Sequence, residues 1–138
     1  LLQSGVHPNV THPASWLPED WLRFVHIPPF PGQWDRLGLG RDDLSALEML
    51  ILGAPQGGAV IQGTRGVRKA RFAVPGSGKG KSGSYRVFYV YFPEYGTVCL
   101  LAIIAKGERE DLDKATRNEL GKLVERLGRI LENGAGTT

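Results

Sequence analysis

Between Ala54 and Pro93 the chain has no aspartate or glutamate, yet seven cations fall there: Arg65, Arg68, Lys69, Arg71, Lys79, Lys81 and Arg86. The formal net charge of +3 is mild, so the clustering is the more informative feature. Cations gathered without acids repel one another, and a bound polyanion relieves that repulsion. Such a cluster can also cleave RNA by a route that needs no metal. The ribose 2′-OH attacks its own 3′ phosphate, a base takes the 2′ proton, cations offset charge on the phosphorane-like transition state, and an acid protonates the leaving 5′ oxygen. A lysine crowded by other cations gives up its proton more readily than usual, which suits it to the base role. Arginine keeps its proton and is suited to holding phosphate and stabilising charge. Lys69 and Arg71, at alternate positions, share one face of a strand; Arg86 opens the next strand, and Lys106 ends the one after it. Arg68, Lys79 and Lys81 are further phosphate-binding candidates. Tyr89 and Tyr91 share a strand face and are placed either to stack on bases or to pack against helices.

Other chemistries find less support. Gly80-Lys81-Ser82 resembles the end of a phosphate-binding P-loop, but Pro75 stands where that motif needs its first glycine. A β-prone run follows, in place of the helix whose amides would hold the phosphates. His7, His12 and His26 do not form a metal-binding spacing with nearby carboxylates. Cys99 is the only cysteine, so no intrachain disulfide or cysteine-built metal site forms, and its apolar surroundings suggest a buried small hydrophobe. No metal or other cofactor is expected. No apolar run is long enough to span a membrane, and no basic-then-apolar signal opens the chain, so the cytoplasm is the expected location.

The elements that must position the cations are legible in outline. The 138 residues suit one domain, with hydrophobic content of 41% and charged content of 22% near ordinary globular values. Residues 1–20, with Pro8, Pro13 and Pro18, read as an extended or disordered arm; residues 21–134 form the domain; residues 135–138 are a fraying tail. Residues 21–27 suggest a strand stopped by Pro28 and Pro29. Residues 31–39 suggest a helical turn or two. Asp42 or Asp43 is expected to cap a helix whose buried face is Leu44, Leu47, Leu50 and Ile51 and which Gly53 and Pro55 end. Residues 59–62 suggest a short strand. Residues 67–74, 85–92 and 97–105 read as three strands, the last apolar on both faces and therefore central. Their short connections predict an antiparallel meander. A final helix is expected over 114–132, capped by Asp113, with Leu120, Leu123, Val124, Leu127, Ile130 and Leu131 buried. Gly121 and Gly128 share a face of it, which suggests a closely packed neighbour.

The strings Arg68-Lys69, Gly80-Lys81-Ser82-Gly83 and Arg86-Val87 carry a family resemblance together with the stretches 63–72, Tyr95-Gly96-Thr97-Val98 and Ala105-Lys106-Gly107-Glu108. They resemble the HigB branch of the RelE/ParE superfamily, the toxins of type II toxin–antitoxin pairs. Trp34, Leu37, Asp43-Leu44 and Glu48 extend the likeness upstream. The resemblance implies an α+β fold, a small antiparallel sheet of three or four strands with helices on one face. It implies a ribosome-dependent mRNA endonuclease that leaves a 2′,3′-cyclic phosphate. Its partners would be the ribosome, mRNA and a cognate antitoxin, a DNA-binding protein. By position, Lys69 and Arg71 match the paired strand cations, Arg86 the arginine near the scissile phosphate, Lys81 the lysine of the glycine loop, and Lys106 the basic residue closing the last strand. There are departures. Ile104 stands where relatives often carry an aromatic residue, Ser84 where glycine is common, and Asp113 in a region where some relatives place a catalytic tyrosine. Two other functions remain open on the same fold: a gyrase-inhibiting toxin of the ParE kind, and an inactive nucleic-acid-binding module.

Overall fold

A computed structural model describes residues 2–5 (backbone only), 22–74, 84–107 and 112–134. In chain order the elements are β1 (Leu2–Gly5), β2 (Arg23–His26), α1 (Phe30–Arg36), α2 (Arg41–Gly53), β3 (Ala59–Val60), β4 (Arg68–Ala73), β5 (Ser84–Phe92), β6 (Thr97–Ala105) and α3 (Lys114–Gly134). The strands form one sheet in the order β1-β2-β6-β5-β4-β3.

The expected meander is present: β4 pairs antiparallel with β5, and β5 with β6. β6 is flanked on both sides, as its run of Val98, Cys99, Leu100 and Leu101 requires, since all four are buried. Its second neighbour is β2, in parallel register from Arg23↔Thr97 to His26↔Leu100. The chain passes from β2 through α1 and α2 and the meander before it returns to that position. Local spacing cannot predict such a partner.

The α+β class expected from the sequence is what the structure shows, with two differences. The sheet has six strands and is mixed, where three or four antiparallel strands were expected. The helices also occupy both faces. α1 and α2 supply Phe30, Trp34, Leu47 and Ile51 to one core layer, with Phe72, Val87, Tyr89, Val98 and Leu100 from the sheet. α3 supplies Val124 and Leu127 to a second layer on the other face, with Phe88, Val90, Cys99 and Leu101. The physical reason is visible in β5 and β6. Both place apolar side chains on each face, so a single helical layer would leave one face in water.

A register shift separates Phe88↔Ala102 from Tyr89↔Leu100, leaving Leu101 as an extra residue in β6. Such a bulge turns two successive side chains the same way, and both Leu101 and Ala102 pack on the α3 side. Beyond the bulge, Ile104 stands opposite Arg86.

The helix ends follow their sequence signals with one adjustment. α2 begins at Arg41, with Gly40 before it, so Asp43 lies inside the first turn. Its carboxylate accepts the Gly40 N–H at 2.8 Å, where Asp42 or Asp43 had been expected as the cap itself. Asp113 caps α3 as expected, its Oδ1 accepting the Thr116 N–H at 2.8 Å. Two residues assigned to buried stripes lie outside: Leu50 is 48% exposed and Ile130 is 49% exposed. On α2 the stripe is completed by Glu48, which is buried.

Candidate nucleic-acid interface

The faces of β4 and β5 decide which cations can work together. Phe72 packs in the α1–α2 layer, Ala70 against it, and Phe88 and Val90 in the α3 layer. Strand alternation therefore turns Lys69 and Arg71 to the α3 side, the same side as Arg86. Register agrees, because Arg71 stands directly opposite Arg86 and Lys69 opposite Phe88.

The Arg71/Arg86 pair can be described more closely. The Ile61 N–H donates to the Val67 carbonyl across β3 and β4. Odd-numbered residues of β4 therefore point their backbone groups toward β3, and even-numbered ones toward β5. Arg71 and Arg86 thus form a non-hydrogen-bonded pair, the kind in which opposed Cα atoms approach to about 4.5 Å and side chains lie closest. Like charges placed this way destabilise a sheet. Arg86 is only 9% exposed, which adds the cost of desolvating a charge. Its Nη1 lies 3.5 Å from the Tyr85 carbonyl, and Arg71 is exposed.

The two lysines flank this pair. Lys69 is one row away along β4, beside Phe88. Lys106 lies one row away in the opposite direction, its N–H bonded to the Ser84 carbonyl at 3.0 Å. By the alternation through Ile104, its side chain takes the α3 side as well, and it is exposed. Each row is displaced by about 7 Å along the strands. Long lysine side chains on either side can therefore converge on an anion held by the arginines. Ile104, opposite Arg86, provides an apolar wall beside the pair.

Four candidates named from the sequence thus share one face: Lys69, Arg71, Arg86 and Lys106. Three others do not. Arg68 turns to the α1–α2 side, where Nη1 donates to the carbonyls of Gln56 at 2.9 Å and Gly58 at 2.7 Å. Tyr89 is 1% exposed in the α1–α2 core. Its hydroxyl donates to the Pro55 carbonyl at 3.0 Å and accepts the Gly58 N–H at 3.1 Å. Tyr91 packs against the same layer. The buried Tyr89 cannot stack on bases, and Tyr91 is half-buried against the same layer. The sheet face that they share is the one covered by α1 and α2. Lys79 and Lys81 lie outside the described residues. Arg65, also in the acid-free segment, is ion-paired with Glu125 of α3.

A second polar pair was not singled out from the sequence. His26 Nε2 lies 3.5 Å from Glu48 Oε2, on the α1–α2 side of the sheet. Glu48 is 1% exposed, and His26 borders a cavity of about 290 Å³ with Phe30 and Trp34. The signal was available, because Glu48 follows Leu44 by four residues and precedes Ile51 by three, within the apolar stripe of α2. The pair is on the far side of the sheet from the four cations and takes no part in their site. Among the described residues no helix is long and apolar enough to cross a membrane. Searched against models of known protein families, the chain matches none.

Proposed function

We propose that the chain is a toxin of the RelE/HigB kind, a ribosome-dependent mRNA endonuclease. The observation that carries this reading is the direct opposition of Arg71 and Arg86, one exposed and one buried, between Lys69 and Lys106. Two guanidinium forks flanked by two ammonium groups on one sheet face offer a phosphate several charge-assisted donors.

On this reading the scissile phosphate sits over the arginine pair. One flanking lysine takes the proton from the ribose 2′-OH as that oxygen attacks phosphorus. The bond from phosphorus to O5′ breaks, and the other lysine delivers a proton to the departing oxygen. The products are a 2′,3′-cyclic phosphate and a 5′-OH. Arg71 and Arg86 hold the charge that builds on the non-bridging oxygens. The partners proposed with this activity are the ribosome, its mRNA and a DNA-binding antitoxin.

The test is induction of the wild type beside the double variant Lys69→Ala/Arg86→Ala, with circular dichroism to verify that the variant folds. Growth arrest should disappear in the folded variant. Arrest that persists would contradict the nuclease reading, and a supercoiling assay would then examine gyrase inhibition.

A further inference from the structure

β2 accompanies β6 only as far as Leu100, whose carbonyl accepts the Ile27 N–H at 2.9 Å. β6 runs on to Ala105, and among the described residues no strand covers its outer edge there. A side chain of α1 takes over. Gln33 Oε1 accepts the Ile103 N–H at 2.8 Å. That bond fixes the amide. Its oxygen is engaged with the sheet, and Nε2, with two N–H donors, is the end left for a ligand.

Beside this bond lies a pocket of about 160 Å³, lined by Gln33, Arg36, Leu37, Ile103 and Ile104. Ile103 packs on the α1–α2 side and Ile104 on the α3 side, so the pocket wraps the edge of β6. Ile104 also stands opposite Arg86. The pocket therefore begins one strand spacing, about 4.8 Å, from the row of the arginine pair. An RNA strand whose phosphate lies over Arg71 and Arg86 brings its neighbouring nucleotide within reach of it. Arg36 is exposed, and among the described residues no carboxylate pairs with it.

The polar groups that Gln33 and Arg36 offer are donors, and the remaining walls are apolar. A matching ligand presents adjacent acceptors on a flat edge. Guanine does so with O6 and N7, adenine sets an amino donor beside N7, and the pyrimidines offer one acceptor or none on the equivalent edge. We infer that this pocket reads a guanine next to the scissile phosphate. The Arg36 guanidinium forks onto O6 and N7, and Gln33 Nε2 donates to O6. An adenine would turn its amino group toward the same donors. The inference rests on the nuclease reading and gives that site a base preference.

The experiment uses the full chain, isotope-labelled for nuclear magnetic resonance, with the monophosphates of guanosine, inosine and adenosine. The first two share O6 and N7. They should shift the Gln33 side-chain amide and bind about tenfold more tightly than adenosine monophosphate, the scale of one bidentate contact. A guanosine analogue with carbon in place of N7 should lose that advantage. Gln33→Glu can still accept the Ile103 N–H but has no donor for O6. It should abolish the preference while the Ile103 amide signal stays in place, and Arg36→Ala should also abolish it. Equal binding of all three nucleotides, or the same shifts from inorganic phosphate, overturns the inference. On programmed ribosomes the wild type should cut beside guanine, and Gln33→Glu should relax that bias. Cutting by the wild type without a guanine bias overturns the inference and leaves the nuclease reading standing. Guanine-selective binding by a protein that leaves mRNA intact overturns the nuclease reading instead.

Discussion

Arg71 and Arg86 face each other across two strands without a backbone hydrogen bond between them. The repulsion has a consequence that can be measured. Arg71→Gln should leave the melting temperature unchanged or raise it, because like charges directly opposite each other destabilise a sheet. The same change should lower mRNA cleavage by about a hundredfold, the scale of losing one donor to transition-state charge. Thermal denaturation and a cleavage assay on one preparation test both halves. Cys99 gives a second prediction at this scale. Burial pushes its thiol up from 9.0 to about 12, against the opposing influence of Arg23. A thiol-specific reagent at pH 8 should leave the folded protein unlabelled and label it on unfolding. Because the folded value is raised, the linked stability is complete below the ordinary value of 9.0 and is lost as pH rises toward about 12. The melting temperature of the wild type should therefore fall more steeply over that window than that of Cys99→Ala.

At the scale of elements, Tyr89 ties β5 to the turn after α2 through Pro55 and Gly58. Tyr89→Phe should cost about 1–3 kcal/mol, since the buried Gly58 N–H loses its partner. It should leave RNA cleavage near the wild-type level, because the ring points away from the four cations. α3 offers a test of opposite sign. A Cβ at Gly121 would meet the Gly63 carbonyl at 3.5 Å and Arg65 at 3.6 Å, ordinary contact distances. Gly121→Ala should therefore stabilise the helix by up to about 1 kcal/mol, whereas a longer side chain would displace the turn around Arg65. The neighbour expected from the two glycines is present, at a distance that still admits a methyl group. The elements themselves were largely legible. The strand over Thr97–Ala105 and the start of α3 follow directly from apolar runs and from Asp113. The exposure of Leu50 was not legible, and the burial of Glu48 was signalled only by its place in the apolar stripe of α2. Both depend on which side of α2 meets the sheet, and His26, which lies against Glu48, is remote in sequence.

For the whole molecule, the decisive features are those that join distant segments. The alternation of Lys69 and Arg71 and the short connections of the meander were enough to gather Lys69, Arg71, Arg86 and Lys106 on one face. Periodicity alone could not say that this face belongs to α3, and so Tyr89, Tyr91 and Arg68 were assigned with the cations although they turn the other way. The parallel pairing of β2 with β6 and the placement of α3 opposite α1 and α2 are likewise long-range results. They arise because a central strand apolar on both faces needs cover on each. The proposed nuclease needs this architecture, since one face must be held by helices while part of the other stays open for RNA. The most direct measurement is primer extension on a defined mRNA carried by purified ribosomes, with and without the protein, beside ribosome-free controls. Cuts that require ribosomes and leave cyclic phosphate ends are the predicted result. Intact mRNA in the presence of protein shown to be folded would contradict the account.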